Sequence, residues 1–433
     1  MAGMRTANRD ATGSVARRQI ALTRNQVRGF WAAWAGWALD GMDSFLYALV
    51  LDPALRELLP RSGMAVSAAN IGYYGGLLFA IFLVGWGCAF LWGPLADRFG
   101  RVRTLMLTIL CYSAFTFMGA VAAGVWELAA FRLLAGAGIG GEWTLGGVFV
   151  AEEWPEERRA QGAAWMHTGY YVGIFLAALV NYVVGTRYGW RAVFAVGGMP
   201  ALLVAFIRYG VKEPKRWEQM RAGPPRAWSA LAQLFSEEYR RRTVINAALL
   251  FVSMVGLWAG SVYVPSSVRA LAGANGSRMA SYGTMILSVG TIVGCLAVPG
   301  LARRFGRRGA LALYFVLMFA TIATGFGWVF YWRHGALGWF LACLFLLGVG
   351  GANFAVYTLW LPEQYRTACR GSAFAFATSF GRFIAAGVTF LVGAGVARMH
   401  TIGTPVAMTS VAFLAGLALL PLAVETRGQE LPE

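Results

Sequence analysis

The chain has 433 residues, 58% hydrophobic and only 13% charged, where soluble domains carry roughly 25% charged residues. That balance excludes the row of soluble domains the length alone would allow. The net charge of +17 would suit nucleic acid, but the basic residues lie in short loops between apolar runs, which excludes that partner. Cys88, Cys111, Cys295, Cys343 and Cys369 are scattered singly, so no disulfide framework, metal site or cofactor is expected.

Residues 1–27 form an arginine-rich tail without the apolar core of a signal peptide, and the spacing places it in the cytoplasm. Twelve runs then reach the roughly 20 apolar residues that a membrane helix needs. Spans 1 to 6 fall near 28–52, 70–92, 103–123, 127–150, 161–185 and 190–210. A polar linker with Pro214, Pro224, Pro225 and a run of arginines occupies 211–242. Spans 7 to 12 fall near 243–265, 279–301, 309–330, 336–360, 371–396 and 404–424, and 425–433 is a second cytoplasmic tail. Of the 37 Lys and Arg, 27 lie on the side of the tails, eight on the other, and two, Arg132 and Arg382, inside spans. Positive charge gathers on the cytoplasmic side of membrane proteins. Both ends are therefore expected inside.

The chain repeats itself. LADRFGR, from Leu95 to Arg101, returns as LARRFGR, from Leu301 to Arg307. Gly100 and Gly306 suit a turn with positive φ. Span 4 ends in Glu152 and Arg159, span 10 in Glu363 and Arg370, each pair at the same spacing. Glu213 and Glu425 close spans 6 and 12 alike. These matches predict a duplicated six-helix unit. GxxxG spacing at Gly72/Gly76, Gly169/Gly173 and Gly290/Gly294 predicts close helix crossings.

With GPLADRFGR in loop 2–3, a polar linker and two six-helix halves, the chain resembles the major facilitator superfamily. RLLAGAGIGGEW (Arg132 to Trp143) resembles that family's Arg-and-glycine motif in span 4. AEEWPEERR, EPKRW, PEQYRTACRG and ETRGQEL resemble the sugar-porter-like branch, and LDGMDSFLY (Leu39 to Tyr47) with GGEW resembles bacterial proton symporters of aromatic and carboxylate anions. The resemblance implies an all-α membrane protein of twelve helices in two pseudo-symmetric bundles. It also implies a gating role at the cytoplasmic face for Asp97, Arg98 and Arg101, and for Glu152, Arg159, Glu363 and Arg370. The second loop copy has Arg303 where the first has Asp97, so it is expected to be the weaker gate element.

An ionisable group inside a span is costly and is by default functional. Asp40 and Asp43 sit mid-span 1, on one face with Tyr47. Arg132 and Glu142 lie in span 4, His167 in span 5, Arg382 in span 11. From residue 239 to 424 the only acid is Glu363, so the embedded acids all belong to the first half. Proton coupling is assigned to Asp40, Asp43, Arg132 and Glu142, without choosing which carboxylate carries the proton. An Asp43–Arg132 pair either opens during the cycle or is a permanent bridge. Arg382 has no embedded acid in its own half. It either binds a substrate carboxylate, for which a guanidinium fork is suited, or pairs across the cavity with Asp43 or Glu142, or donates to backbone carbonyls. Tyr47, His167, Asn353 and Tyr357 are further candidates for the substrate site; Tyr171, Trp258 and Tyr282 are other possible lining groups.

No nucleophile elbow, P-loop or metal cluster is present, so no enzyme is expected. The expected function is proton-coupled symport of a small organic anion by alternating access, in the bacterial inner membrane, as a monomer with the bilayer, protons and a small molecule as partners. A proton-coupled sugar transporter and a proton-driven efflux antiporter are the alternatives.

Overall fold

The computed structural model describes residues 22–92, 101–199, 232–256 and 261–432, apart from a few side chains inside helices. Within them the chain is helical. Span 1 runs from Arg24 to Arg61, and its start is set by a capping box in which the Thr23 side chain accepts from Gln26 while the Gln26 side chain accepts from the Thr23 N–H. At 38 residues and 1.5 Å rise it exceeds the roughly 30 Å apolar layer, so Asp40 and Asp43 fall near its middle. Spans 2 and 3 are Ala68–Gly87 and Arg101–Gly119.

Span 4 is two helices, Val125–Gly138 and Gly141–Glu153, broken where Gly140 takes φ 118°. Span 5, Glu156–Val180, ends in one π-helical turn, Asn181–Gly185. Span 6 begins after Gly189, whose φ is 80°, and is described as far as residue 199.

Span 7 departs from the expected 243–265. It is a helix Arg240–Met254 and a second helix Val264–Ala272, ended at Gly273 with φ 57°. Gly256, Gly260 and Pro265 interrupt the apolar run, so hydropathy placed the end seven residues early. Spans 8 and 9 lie in Gly276–Gly327, divided at Gly306, which has the positive φ (76°) the loop motif required. Its counterpart Gly100 lies outside the described residues. Span 10 is Ala336–Gly351 with Asn353–Trp360, span 11 is Thr367–Met399, and span 12 is Gly403–Met408 with Val411–Leu419. Among the described residues six helical stretches meet the length and hydropathy of a bilayer crossing.

The helices touch through glycine. A Cβ on Gly173 would strike the Ala38 carbonyl, and one on Gly41 the Tyr170 carbonyl, so spans 1 and 5 cross backbone to backbone. Spans 2 and 4 meet likewise at Gly85 and Gly136, and their counterparts, spans 8 and 10, at Gly290 and Gly348. The two bundles meet where spans 2 and 11 cross at Gly72, Gly76 and Gly393. All three GxxxG pairs lie in close contacts of this kind, Gly169 and Gly294 against the backbone of Trp34 and Val349.

Gly173→Leu should therefore lower the melting temperature of the detergent-solubilised protein, overpacking being worth about 1–3 kcal/mol. Gly387→Ala, where a Cβ meets nothing within 4 Å, is the control; equal melting of both variants would contradict the crossing.

Candidate functional site

The centre of the molecule is a charge facing a wall of rings. Arg382 stands midway along the 33-residue helix of span 11 and is 2% exposed. Its guanidinium lies 4.4 Å from the Trp86 ring and 5.9 Å from the Trp143 ring. Both rings belong to the other bundle. Asp40 and Tyr170, also of that bundle, are close enough to act on it electrostatically. Its Nε has no hydrogen-bond partner among the described residues. Behind this contact Trp37 stacks on Trp143 (5.7 Å, 20°) and packs on Tyr170 at 4.6 Å.

Beside it the bundles are joined through one hydroxyl. Thr358 of span 10 accepts the Trp143 indole N–H at 3.0 Å and stands 3.3 Å from His167 Nδ1. The other imidazole nitrogen of His167 is buried without a partner among the described residues, and the ring lies parallel to Phe354 at 6.3 Å. Tyr171 donates to the Gly351 carbonyl at 3.2 Å. A narrow crevice between the bundles is lined by Phe45, Tyr171, Ile174, Ser288, Thr291 and Gly351.

Asp43 belongs to a second assembly, wholly inside the first bundle. One carboxylate oxygen accepts from Thr116 of span 3; the other stands 3.8 Å from Arg132 Nη1. Arg132 Nη2 donates to the same Thr116 hydroxyl at 2.8 Å, and its guanidinium packs on Phe194 at 5.1 Å. All three side chains are fully buried. The expected Asp43–Arg132 pair is present, with Thr116 as its unforeseen middle member.

The other candidates have different neighbours. Asp40 and Asp43 both act on Tyr170, while Asp40 also acts on Arg382 and Asp43 on Arg132. No Arg382–Asp43 pair forms among the described residues, and the side chain of Glu142 lies outside them. Tyr47 turns to span 2, donating to the Gly75 carbonyl at 3.4 Å and stacking near Phe79. Asn353 bonds the Gly350 carbonyl at 2.9 Å and Tyr357 bonds Ser253 at 3.1 Å, both within the second bundle. Tyr282 is 43% exposed and bonds Tyr182 at 3.1 Å on the span 5–span 8 seam. Trp258 lies outside the described residues.

At the face where span 1 begins, Arg307 clasps Glu363 at 2.6 and 2.9 Å, and Thr426 adds a hydrogen bond at 2.6 Å. Glu425 accepts the backbone N–H groups of Arg307 and Arg308 at 2.9 and 3.1 Å, capping the helix that follows Gly306. Arg303, in the place of the loop acid, bonds the Pro299 carbonyl at 3.2 Å; the acidic cap comes from the end of span 12 instead. Arg370 donates to the carbonyls of Pro362 and Pro432 at 3.0 and 2.9 Å. Arg159, from the first bundle, lies within electrostatic reach of Glu363 and Arg370. Asp97 and Arg98, with the side chains of Arg101 and Glu152, lie outside the described residues.

Sequence reasoning missed Trp37, Trp86, Trp143 and Thr116 as site residues. Tryptophans of a membrane protein are commonest at the bilayer interfaces, whereas these three are buried, Trp86 and Trp143 against Arg382 of the other bundle and Trp37 against Trp143.

Arg382 meets Asp40, Trp86 and Trp143 across the seam of the two bundles, while Asp43 and Arg132 pair inside the first. The chain belongs to the Major Facilitator Superfamily, whose family model matches residues 33–389, and it is a membrane transporter, not an enzyme. It is 30% identical over 415 residues, 93% of this chain and 91% of its relative, to a probable 4-methylmuconolactone transporter of Cupriavidus pinatubonensis. It is 26% identical over 372 residues, 82% of this chain and 84% of the relative, to a cis,cis-muconate transport protein of Acinetobacter baylyi. Among solved structures it resembles the xylose transporter XylE from E. coli in a partially occluded inward-open conformation, with TM-score 0.74, 19% identity and coverage of 94% of this chain and 100% of that one.

Thr116→Val should leave Arg132 Nη2 and one Asp43 oxygen buried and unpaired, at about 1–3 kcal/mol. The expected readout is a lowered melting temperature that Thr116→Ser restores. A Val variant melting with the wild type would show that the hydroxyl bridge does not form.

Proposed function

We propose that the protein is a proton-coupled symporter that takes up a small organic anion across the bacterial inner membrane, as a monomer with both termini cytoplasmic. The observation that carries this is Arg382: a guanidinium buried at the seam, set over Trp86 and Trp143 from the opposite bundle. A planar carboxylate fits that fork, and the rings offer flat apolar surface to the rest of the anion. The neighbouring Asp40 repels an arriving carboxylate, so anion binding is favoured when Asp40 is protonated. This ties substrate to proton at a single place.

Asp43, Thr116 and Arg132 supply the second part. A protonated Asp43 loses its attraction for Arg132, which frees span 1 from spans 3 and 4; deprotonation restores it. Glu142 remains a further candidate for the proton. His167 and the hydroxyl of Thr358 form a polar pole at the far side of the aromatic wall. At the cytoplasmic face Glu363, Arg370 and Arg159, with Asp97, Arg98, Arg101 and Glu152, are the gating groups.

Proteoliposomes with an imposed pH gradient, offered cis,cis-muconate, 4-methylmuconolactone, benzoate or D-xylose, test this. An acid should accumulate with proton uptake. Arg382→Ala should raise KM roughly tenfold or more, a hydrogen bond to a charged group being worth about 1.5–3 kcal/mol. Asp43→Asn should abolish accumulation and keep exchange. Accumulation of D-xylose alone, or an unchanged Arg382→Ala, would refute the anion reading.

A further inference from the structure

The second helix of span 7, Val264–Ala272, takes no part in the central site. It lies toward the face opposite the tails, against the outer part of span 1. Between Tyr263 and Arg269 it carries buried polar atoms without a hydrogen-bond partner among the described residues: Tyr263 Oη, Ser267 Oγ and Arg269 Nη1. Buried polar groups are nearly always paired, by protein or by water, so the open Nη1 of Arg269 is a donor available to a further partner.

Arg269 is the charged member. Its Nη2 reaches across the seam and donates to the Leu49 carbonyl of span 1 at 2.9 Å. A neutral carbonyl is a weak partner for a guanidinium. The nearby ionised groups are Asp52 and Arg56, and these are paired with each other at 3.0 Å. Tyr263 is separate from Arg269, near Tyr47 and at the crossing of Gly76 and Gly393.

Opening of this face must draw span 7 away from span 1, because the two belong to different bundles. The Leu49 carbonyl then withdraws, and the guanidinium meets the water-filled mouth with only water as its hydrogen-bond partner. A carboxylate would satisfy both Nη groups at once. We propose that Arg269 is a capture site for the transported carboxylate at the outer mouth, occupied after this face opens and before the anion reaches Arg382. Leu49 lies nine residues beyond Asp40 on span 1, roughly 13 Å at 1.5 Å per residue, so the two guanidinium groups mark successive stations at different depths. When the face closes, Leu49 reclaims Arg269 and the anion is displaced inward.

This inference rests on the anion reading of the central site, and its test separates the two. Initial uptake of cis,cis-muconate, 4-methylmuconolactone and benzoate is measured in cells expressing the full chain, at low and high ionic strength. Arg269→Gln should raise KM for the transported acid fivefold or more and leave Vmax within twofold. It should also flatten the fall of Vmax/KM with salt that a mouth cation produces in the wild type. Arg269→Lys, which keeps the charge and loses the fork, should recover most of the salt dependence with KM raised two- to threefold. It serves as the readout if the Gln variant fails to reach the membrane. Unchanged KM in either variant would overturn the capture site, as would a fall in Vmax at unchanged KM, the mark of a seam lock alone. A wild type that takes up none of the acids would instead refute the central reading.

Discussion

A single guanidinium with its partners on the other side of the seam is the constraint from which the rest follows. Arg382 has no acid of its own bundle in reach of mid-membrane; from residue 239 to 424 the chain has only Glu363, which is bound to Arg307. Leaving such a charge in a low-dielectric interior without compensation is expensive. Its stabilisation therefore comes from Trp86, Trp143, Tyr170 and Asp40, all across the seam. The bundles cannot part at this depth without exposing the charge to something else. Water or an anion must take over, and that couples the position of the bundles to what occupies the centre.

The two acids of span 1 have different neighbours. They are three residues apart, but one turns to the seam and the other to the interior of its own bundle, where Thr116 links it to Arg132. An assembly that is fully buried and held by two hydrogen bonds through Thr116 and one ion pair at 3.8 Å is sensitive to one proton, since each lost contact leaves a further unpaired group. In the proposed cycle a proton added at Asp40 acts on the substrate charge directly. In the proposed cycle one carboxylate sets whether the anion is held and the other whether span 1 is free to move.

Much of this was legible in the residues. Charge counting and the LADRFGR repeat lead to two six-helix halves, and Gly306 has the backbone angle the repeat demands. The embedded Asp43 and Arg132 could be paired on cost alone. Three features could not. Thr116 looks like any helix threonine, and only the crossing of spans 1, 3 and 4 makes it a bridge. Trp37, Trp86 and Trp143 carry no mark of depth, because a Trp at mid-membrane and one at the interface have the same composition. The splitting of Asp40 from Asp43 depends on which helix packs against each side of span 1, a tertiary fact set by Gly41 and Gly173 at the span 5 crossing.

Equilibrium binding tests the central claim most directly, because it isolates the seam charge from the cycle. Isothermal titration calorimetry of the detergent-solubilised protein with the transported acid should give saturable binding for the wild type. Arg382→Ala should lose it, and Asp43→Asn, whose partners lie in the other assembly, should keep it. Undiminished affinity in Arg382→Ala would contradict the account at its foundation.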